Sequence, residues 1–199
     1  MCNFWNERYA EADFAYGCEP NIFLKENVSK ITKGKILFPA EGEGRNAVFA
    51  AQSGYDVSAF DTSEEGQKKA IQLAQNCKTS IDYKVGLLEN LNYSENEFHA
   101  IVLIYAHVPA EIRKEFHRKL LSLLKPNGII IFEAFGKEQL KYTSGGPKDI
   151  KMLFSEKEIK EEFPNVHFSI LETIETELNE GKYHIGRANV VRFIAQKHS

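Results

Sequence analysis

The sequence predicts an α/β protein with a doubly wound, mostly parallel sheet of seven strands that ends in a C-terminal antiparallel hairpin. Three observations predict this fold. Strand-like and helix-like segments alternate regularly from residue 20 onward, which is typical of a parallel sheet with helices on both faces. The run FHAIVLIYAHV (98–108) is almost wholly apolar, as expected of a central strand. Two long strand-like stretches near the C-terminus flank the turn NEGK and indicate the hairpin.

The first half of the chain supplies three strands and two helices. A short apolar run enters a glycine loop, and the helix formers that follow it stop at Gly54. Thr62 and Glu65 then have the spacing of a capping box before a helix with one apolar face. The predicted order is strand 35–40, helix 44–54, strand 55–61, helix 62–76 and strand 80–86.

The second half continues the alternation and then changes character. Pro109 suits the first turn of a helix, and a second capping box is formed by Ser155 and Glu158. One irregular piece, GKEQLKYTSGGPKD (136–149), is predicted to be a mobile loop at the carboxyl edge of the sheet. The predicted order is strand 98–108, helix 110–124, strand 129–135, helix 155–163 and hairpin strands 166–178 and 183–197.

The bulk properties indicate a single soluble, cytoplasmic domain spanning 1–199. A net charge of −3 with dispersed Lys and Arg argues against nucleic acid or an anionic membrane as partner. Three widely spaced cysteines and scattered histidines form no metal-ligand pattern, so no metal is expected. The N-terminal residues carry charges where a signal peptide needs an apolar run, and no segment reaches the roughly 20 apolar residues of a membrane span.

The loop PAEGEGRNA (39–47) predicts a nucleoside site. Gly42 and Gly44 allow backbone to approach a ligand, and Asp61, nineteen residues after Gly42, ends the next strand, where a carboxylate can bind both ribose hydroxyls. The alternative is that the glycines only make a tight turn and Asp61 caps a helix. Glu41 and Glu43 would repel a pyrophosphate but suit the cations of S-adenosylmethionine.

Three function classes stay open at this point. A methyltransferase is favoured over an NAD-dependent oxidoreductase, because the loop is acidic and the chain has no Tyr-x-x-x-Lys pair. A non-catalytic module that binds S-adenosylmethionine is the third class.

The ordered motifs ILFPAEGEGRNAVFAA, FDTSEEG, FHAIVLIYAHVP and LLKPNGIIIFEAFG resemble the class I S-adenosylmethionine-dependent methyltransferases with their Rossmann-like fold. The segments FWNERYAEADFAYGCEPNIFL and YTSGGPKD further resemble the small bacterial branch of tellurite-resistance and thiopurine methyltransferases. The resemblance implies a thiol, a thiopurine-like compound or a group 16 oxyanion as methyl acceptor. It also implies an N-terminal helical lid over 1–30 and a substrate-side loop at 136–149.

The resemblance further implies the cofactor contacts. The glycine loop would surround the methionine part, Asp61 would hold the ribose, and the residues after the third and fourth strands would border the adenine and the sulfonium. Ala40 and Phe38 replace a glycine and an acid that are frequent in the family. The expected cofactor-binding residues are Tyr16, Glu41, Gly42, Glu43, Gly44, Asn46, Asp61, Thr62, Ser63, Leu87, Leu88, Tyr105 and Ala106.

His107 is the predicted catalytic residue, because its imidazole follows the fourth strand and suits a base near neutral pH. The alternative is a histidine that packs at the start of a helix beside Pro109. Arg113 is expected either to reach an anionic substrate or to lie on a solvated helix face. Glu133 is expected either to line the pocket or to be a buried partner. His184 is expected to be structural or exposed, and a monomer and a homodimer are both open.

Overall fold

The computed structural model describes residues 2–199, which form one mixed sheet with helices on both faces. The strands are β1 Lys35–Pro39, β2 Asp56–Asp61, β3 Asp82–Val85, β4 Phe98–Ile104, β5 Leu124–Phe135, β6 Val166–Glu180 and β7 His184–Lys197. The helices are α1 Cys2–Tyr9, α2 Ile22–Asn27, α3 Arg45–Gln52, α4 Glu64–Asn76, α5 Ala110–Leu123 and α6 Glu156–Glu162.

The sheet has the strand order β3-β2-β1-β4-β5-β7-β6. The strands β1 to β5 pair in parallel, whereas β7 runs antiparallel to both β5 and β6. The order reverses between β1 and β4, which is where ligands bind in open parallel sheets. These pairings confirm the predicted seven-stranded, doubly wound sheet with its C-terminal antiparallel hairpin.

Alternate side chains of the buried strands enter two cores on opposite faces of the sheet. Leu37 of β1 packs in one core with residues of α5 and α6, and its neighbours Ile36 and Phe38 pack in the other core. The first core is rich in aromatic rings, and the rings of Phe132 and Phe193 stack with their centroids 4.8 Å apart. Burial on both faces explains why β4 and residues 129–135 of β5 are nearly continuous apolar runs.

Of the two predicted helix caps, the structure confirms one and shifts the other. Ser155 and Glu158 form a capping box at the start of α6, with each side chain bonded to the other residue's backbone N–H. At α4 the cap is Ser63, whose Oγ accepts from the Gly66 N–H at 3.0 Å. The prediction of Thr62 as the cap is therefore wrong by one residue, because β2 ends at Asp61 and leaves Thr62 facing the crevice.

The fourth strand is shorter than the predicted span 98–108. It ends at Ile104, and Tyr105 has a φ of 52°, a left-handed conformation that an L residue with a ring adopts at a cost. The Tyr105 N–H still donates to the Glu133 carbonyl at 2.7 Å. The chain therefore turns sharply at the carboxyl edge, and residues 105–108 lie outside the sheet.

Arg113 matches neither of its two expectations. Its side chain is buried, and its guanidinium donates to both carboxylate oxygens of Glu162 at 2.6–3.1 Å and to the Lys151 carbonyl at 3.0 Å. His117, one turn later, contacts the same carboxylate through Nδ1 at 2.7 Å. The segment 150–163 covers this face of α5, so the face that carries Arg113 is buried while the opposite face stays exposed.

Two further findings concern the described residues. Among residues 2–199, no helix has the length and apolar character needed to cross a membrane. In the same range, no cluster of three or more His, Cys, Asp or Glu side chains is arranged to hold a metal ion.

Candidate functional site

A cavity of about 660 Å³ opens at the carboxyl ends of the parallel strands. Its walls come from α1, the loops after β1, β2, β3 and β4, the loop 145–149 and the start of β7. The lining includes most of the predicted site residues, namely Tyr16, Glu41, Asn46, Asp61, Thr62, Leu87, Leu88, Tyr105 and His107. The predicted residues outside the lining are Gly42, Glu43, Gly44, Ser63 and Ala106.

Asp61 ends β2 and is buried at the cavity wall. One carboxylate oxygen accepts from the Gly42 N–H and the other from the Ser63 N–H, both at 3.0 Å. Burial raises the pKa of Asp61, and these backbone N–H groups oppose that shift. A carboxylate has about four lone-pair sites, so Asp61 keeps acceptor capacity for a hydroxyl of a ligand.

The two loop glutamates have different surroundings. Glu41 lines the cavity, and its Oε1 accepts from the N–H groups of Asn46 and Ala47 at 2.9 and 2.7 Å. It therefore caps the N-terminus of α3, where a carboxylate is favoured. Burial raises the pKa of Glu41 to about 7 despite these bonds.

Glu43 points away from the cavity. Its carboxylate accepts from the Ala15 N–H and from the Lys69 ammonium, both at 2.8 Å, and the side chain is almost completely buried. The residue thus fastens the N-terminal segment to α4, and the structure does not place it at the cofactor site predicted for it.

The two loop glycines are explained by packing within the chain. A Cβ on Gly42 would lie 2.5 Å from the Tyr9 hydroxyl, and a Cβ on Gly44 would lie 2.5 Å from the Ala70 Cβ. Both residues also have positive φ values, 62° and 88°. The absence of side chains therefore lets α1 and α4 approach the loop, and neither glycine lines the cavity.

The remaining two residues outside the lining have structural partners. Ser63 is the α4 cap, and its hydroxyl donates to the Asn6 side chain at 2.7 Å. Ala106 is buried in the core that includes α5. By contrast, Leu88 is 3% exposed and Leu87 is 52% exposed, and both contribute to the apolar wall after β3.

Tyr105 and His107 form the cavity wall after β4. The Tyr105 hydroxyl donates to Glu133 at 3.1 Å, and the Asn21 amide donates to the same oxygen at 2.7 Å. Glu133 is thus the buried partner that the sequence allowed, and it does not line the cavity.

His107 is held by one nitrogen. Its Nδ1 lies 3.0 Å from the Met152 carbonyl, which can only accept, so Nδ1 carries the proton and Nε2 has a free lone pair. Nε2 is buried without a partner among the described residues. Burial lowers the pKa of His107 to about 4, so the ring is neutral at pH 7.

The N-terminal segment covers the cavity with aromatic rings. Trp5 and Tyr9 stack with centroids 5.5 Å apart, and Tyr16 lies beside them in the lining. The Asn21 N–H donates to the Asn46 side chain at 2.9 Å, which fixes the end of this segment against α3. Phe14 packs instead near Val48 and Leu73, outside the cavity.

The sequence does not reveal the contribution of the hairpin. His184, expected to be structural or exposed, lines the cavity together with Tyr183, Arg8 and Arg45. The predicted topology is the feature that could have indicated this contribution. An antiparallel last strand begins at the edge of the sheet where the parallel strands end. The order β5-β7 therefore brings the start of β7 beside the end of β5.

Comparisons with known proteins agree with this geometry. Residues 36–128 match the family model described as a methyltransferase domain. A ubiquinone biosynthesis O-methyltransferase of Rickettsia canadensis is 28% identical over 154 residues, which are 72% of this chain and 62% of that protein. The chain thus spans less than two thirds of that relative's length.

Solved structures share the fold across nearly the whole chain. TehB from Haemophilus influenzae has a TM-score of 0.73 at 16% identity, covering 98% of this chain and 66% of that one. A SAM-dependent methyltransferase from Methanosarcina mazei has a TM-score of 0.66 at 18% identity, covering 90% of this chain and 99% of that one. Residues 36–128 are therefore similar to a methyltransferase domain, and the solved structures extend the same fold to nearly the whole described chain.

Proposed function

We propose that this protein transfers the methyl group of S-adenosylmethionine to a small-molecule acceptor bound in the same cavity. The observation that carries the proposal is the buried Asp61 at the carboxyl end of β2, one strand from the switch point, facing a cavity large enough for both molecules. The finer resemblance to tellurite-resistance and thiopurine methyltransferases supports a thiol, a thiopurine-like compound or a group 16 oxyanion as acceptor. The O-methyltransferase relative adds hydroxyl compounds to these classes.

The cavity fits the cofactor by the chemistry of its walls. Asp61 and Thr62 would bind the ribose hydroxyls, and the apolar wall of Phe60 and Leu88 would hold the adenine. Glu41 and Tyr105 would border the methionine part. When bound, S-adenosylmethionine supplies a methyl carbon activated by a cationic sulfur.

The charge of the site also favours this cofactor over a dinucleotide. The group at the N-terminus of α3, where a pyrophosphate would bind, is the Glu41 carboxylate. That carboxylate already uses the N–H groups of Asn46 and Ala47. A cationic ligand beside Glu41 would lower the pKa of its carboxyl from about 7 and favour the ionised form, whereas a phosphate would raise that pKa.

The chain contributes mainly by positioning. The aromatic N-terminal segment and the loop 145–149 enclose the cavity from two sides and exclude water from the reacting groups. We propose residues 1–30 as the lid and residues 136–149 as the substrate-side loop, in which residues 137–141 form a 3-10 turn. His107, the catalytic residue expected from the sequence, lines the cavity with a ring that is neutral at pH 7, but its Nε2 atom is buried.

Calorimetry with S-adenosylhomocysteine tests the cofactor site. We expect the wild type to bind, and we expect Asp61→Ala to weaken binding by at least about tenfold because two ribose hydrogen bonds are lost. The control is Asp56→Ala, which removes an exposed aspartate from the other end of β2. An absence of binding to the wild type, or equal affinity of the Asp61 and Asp56 variants, contradicts the proposed site.

A turnover assay tests the reaction itself. Labelled S-adenosylmethionine is incubated with a panel of thiols, phenols, amines and oxyanions, and formation of S-adenosylhomocysteine is measured. Binding without turnover on every acceptor would indicate the non-catalytic module.

A further inference from the structure

Glu180 and His184 form a buried pair at the hairpin end nearest the cavity. They are the last paired residues before the turn 181–183, and His184 Nδ1 lies 3.3 Å from a Glu180 carboxylate oxygen. Glu180 also accepts from Arg45 at 2.9 Å and from the Asn21 amide at 3.1 Å. Burial opposes ionisation of Glu180, but the bonds from His184 and Arg45 hold its pKa at about 2, so the carboxylate is ionised near neutral pH.

The carboxylate fixes the tautomer of His184. An ionised carboxylate only accepts hydrogen bonds, so Nδ1 carries the proton and Nε2 presents a lone pair. No hydrogen bond among the described residues occupies Nε2. The ring lines the cavity, and a side chain at Gly145 would lie 2.8 Å from Cδ2 and 3.4 Å from Nε2, so glycine there leaves this edge of the ring uncovered.

His184 also lies between the two expected reactants. Its ring centroid is 4.6 Å from that of Tyr105, in the wall proposed to border the methionine part, and 4.4 Å from that of Tyr16. On the other side is Gly145 of the substrate-side loop. The ring of Phe135 separates His184 from His107, at centroid distances of 5.1 and 5.7 Å.

We propose that His184, positioned by Glu180, is the general base that removes the proton of a hydroxyl acceptor, which makes a neutral aromatic hydroxyl a substrate class of this site. The proposal rests on the proposed function and deepens it. Aromatic acceptors fit because rings contact the two histidines, namely those of Tyr16, Tyr105 and Phe135. The cavity lining also includes the rings of Phe4, Trp5 and Phe116.

Every bond and proton in the proposed methyl transfer is accounted for. The acceptor oxygen forms a bond to the methyl carbon while the bond from that carbon to sulfur breaks, and the hydroxyl proton passes to Nε2. The products are a methyl ether, neutral S-adenosylhomocysteine and an imidazolium, which returns its proton to water. The Glu180 carboxylate stabilises that imidazolium, as a carboxylate beside a catalytic histidine does elsewhere.

Glu180 distinguishes this histidine from His107. The partner of His107 is a neutral carbonyl, which leaves its pKa at about 4 and makes it a weak base. Burial also lowers the pKa of His184, but its bond to Glu180 opposes the shift. The groups that face His184 are Glu180 from β6, Arg45 from α3, Arg8 from α1, Tyr16 of the N-terminal segment, Tyr105 and His107 after β4, and Tyr183 of the turn.

The experiment compares phenol with thiophenol at pH 8. The two acceptors share one ring, but phenol, with a pKa of about 10, must lose its proton during the reaction, whereas thiophenol is already ionised. We expect His184→Gln to lower kcat on phenol by about 100-fold and on thiophenol by less than about threefold. The matched control is His167→Gln, which removes an exposed histidine from the far end of β6.

The pH profile tests the role of Glu180 as a positioning residue. The base must be neutral, so kcat/KM on phenol falls as pH drops through the pKa of His184. Glu180→Gln keeps a hydrogen-bond acceptor but removes the charge that stabilises the imidazolium. We expect this acid limb to move to lower pH and the plateau to fall, which a purely structural role would not produce.

Several outcomes overturn the proposal while leaving the proposed function intact. They are methylation of thiophenol but not phenol by the wild type, equal losses on both acceptors in His184→Gln, and a phenol-specific loss in His107→Gln instead. Failure of the proposed function gives a different result, namely no S-adenosylhomocysteine binding or no methylated product from any acceptor.

Discussion

Glu41 and Glu43 are two positions apart on one loop, yet only Glu41 faces the cavity. The sequence shows that the loop is acidic, but it does not show which glutamate faces the cavity. The direction of each side chain depends on where α1 and α4 pack. The answer is set by Lys69 and Ala15, which are distant in sequence from the loop and bind Glu43. The same limit applies to Thr62 and Ser63, whose roles exchange when β2 ends one residue earlier or later.

Glu41 makes the stability of the cofactor-free protein depend on pH. Its pKa is about 7 when folded and about 4.5 when unfolded, so its stabilising effect is complete below pH 4.5 and is lost as pH rises through 7. Glu41→Gln stays neutral at every pH. We therefore expect the unfolding free energy of wild type, relative to Glu41→Gln, to fall by about 2 kcal/mol between pH 5 and pH 8.

Urea unfolding at the two pH values measures this difference. Glu64→Gln, at an exposed position in the first turn of α4, is the control and should track the wild type. A wild type that parallels Glu41→Gln at both pH values would show that the carboxyl is not held protonated by the fold.

At the scale of elements, the contact between α3 and α4 depends on Gly44. A Cβ there would lie 2.5 Å from the Ala70 Cβ, at a φ of 88°. Gly186 in β7 is a suitable comparison, because it also has a positive φ, 100°, but no atom lies within 4 Å of the position that its Cβ would occupy. Substitutions at these two positions therefore separate the free-energy cost of backbone strain from the cost of overpacking between the helices.

We expect Gly44→Ala to lower the unfolding free energy by about 3 kcal/mol or more, because overpacking adds to backbone strain. Gly186→Ala introduces only the backbone strain, and we expect it to lower the unfolding free energy by about 1 kcal/mol. Urea unfolding of both variants provides the comparison. Equal losses would mean that the helices separate without cost and that Gly44 serves only the turn.

The elements themselves are predictable because each has a local signature. Alternation, apolar runs and the Ser155–Glu158 capping box predict the seven strands and the helices α3 to α6. The wrong predictions concern residues whose surroundings are set by another segment of the chain. Arg113 is buried because residues 150–163 pack over α5, and His184 reaches the cavity because β7 is inserted between β5 and β6. No residue pattern within α5 or within β7 indicates either of these contacts.

At the scale of the whole molecule, the N-terminal segment joins parts that are far apart in sequence. Glu43 of the glycine loop accepts from the Ala15 N–H, and Glu11 accepts from Tyr183 and Lys182 of the hairpin turn. A Cβ at Gly181 would lie 2.5 Å from the Ala15 carbonyl oxygen. The segment therefore closes the cavity by binding both the first and the last parts of the sheet.

We expect Glu43→Ala to release this segment, because the buried Ala15 N–H and the Lys69 ammonium both lose their acceptor. Proteinase K should then cleave between residues 10 and 21 faster than in wild type, and affinity for S-adenosylhomocysteine should fall. Glu95→Ala, at an exposed site before β4, is the control. Unchanged cleavage with unchanged affinity would show that the aromatic residues of α1 hold the segment without Glu43.

The inserted strand β7 also has a consequence for synthesis of the protein. Residues 35–135 contain all five parallel strands and leave the ribosome before the hairpin, so they can pair while the chain is still growing. Tyr183 and His184 join the cavity only when β7 docks against β5. A nascent chain can therefore form most of its sheet while it still lacks one wall of the pocket.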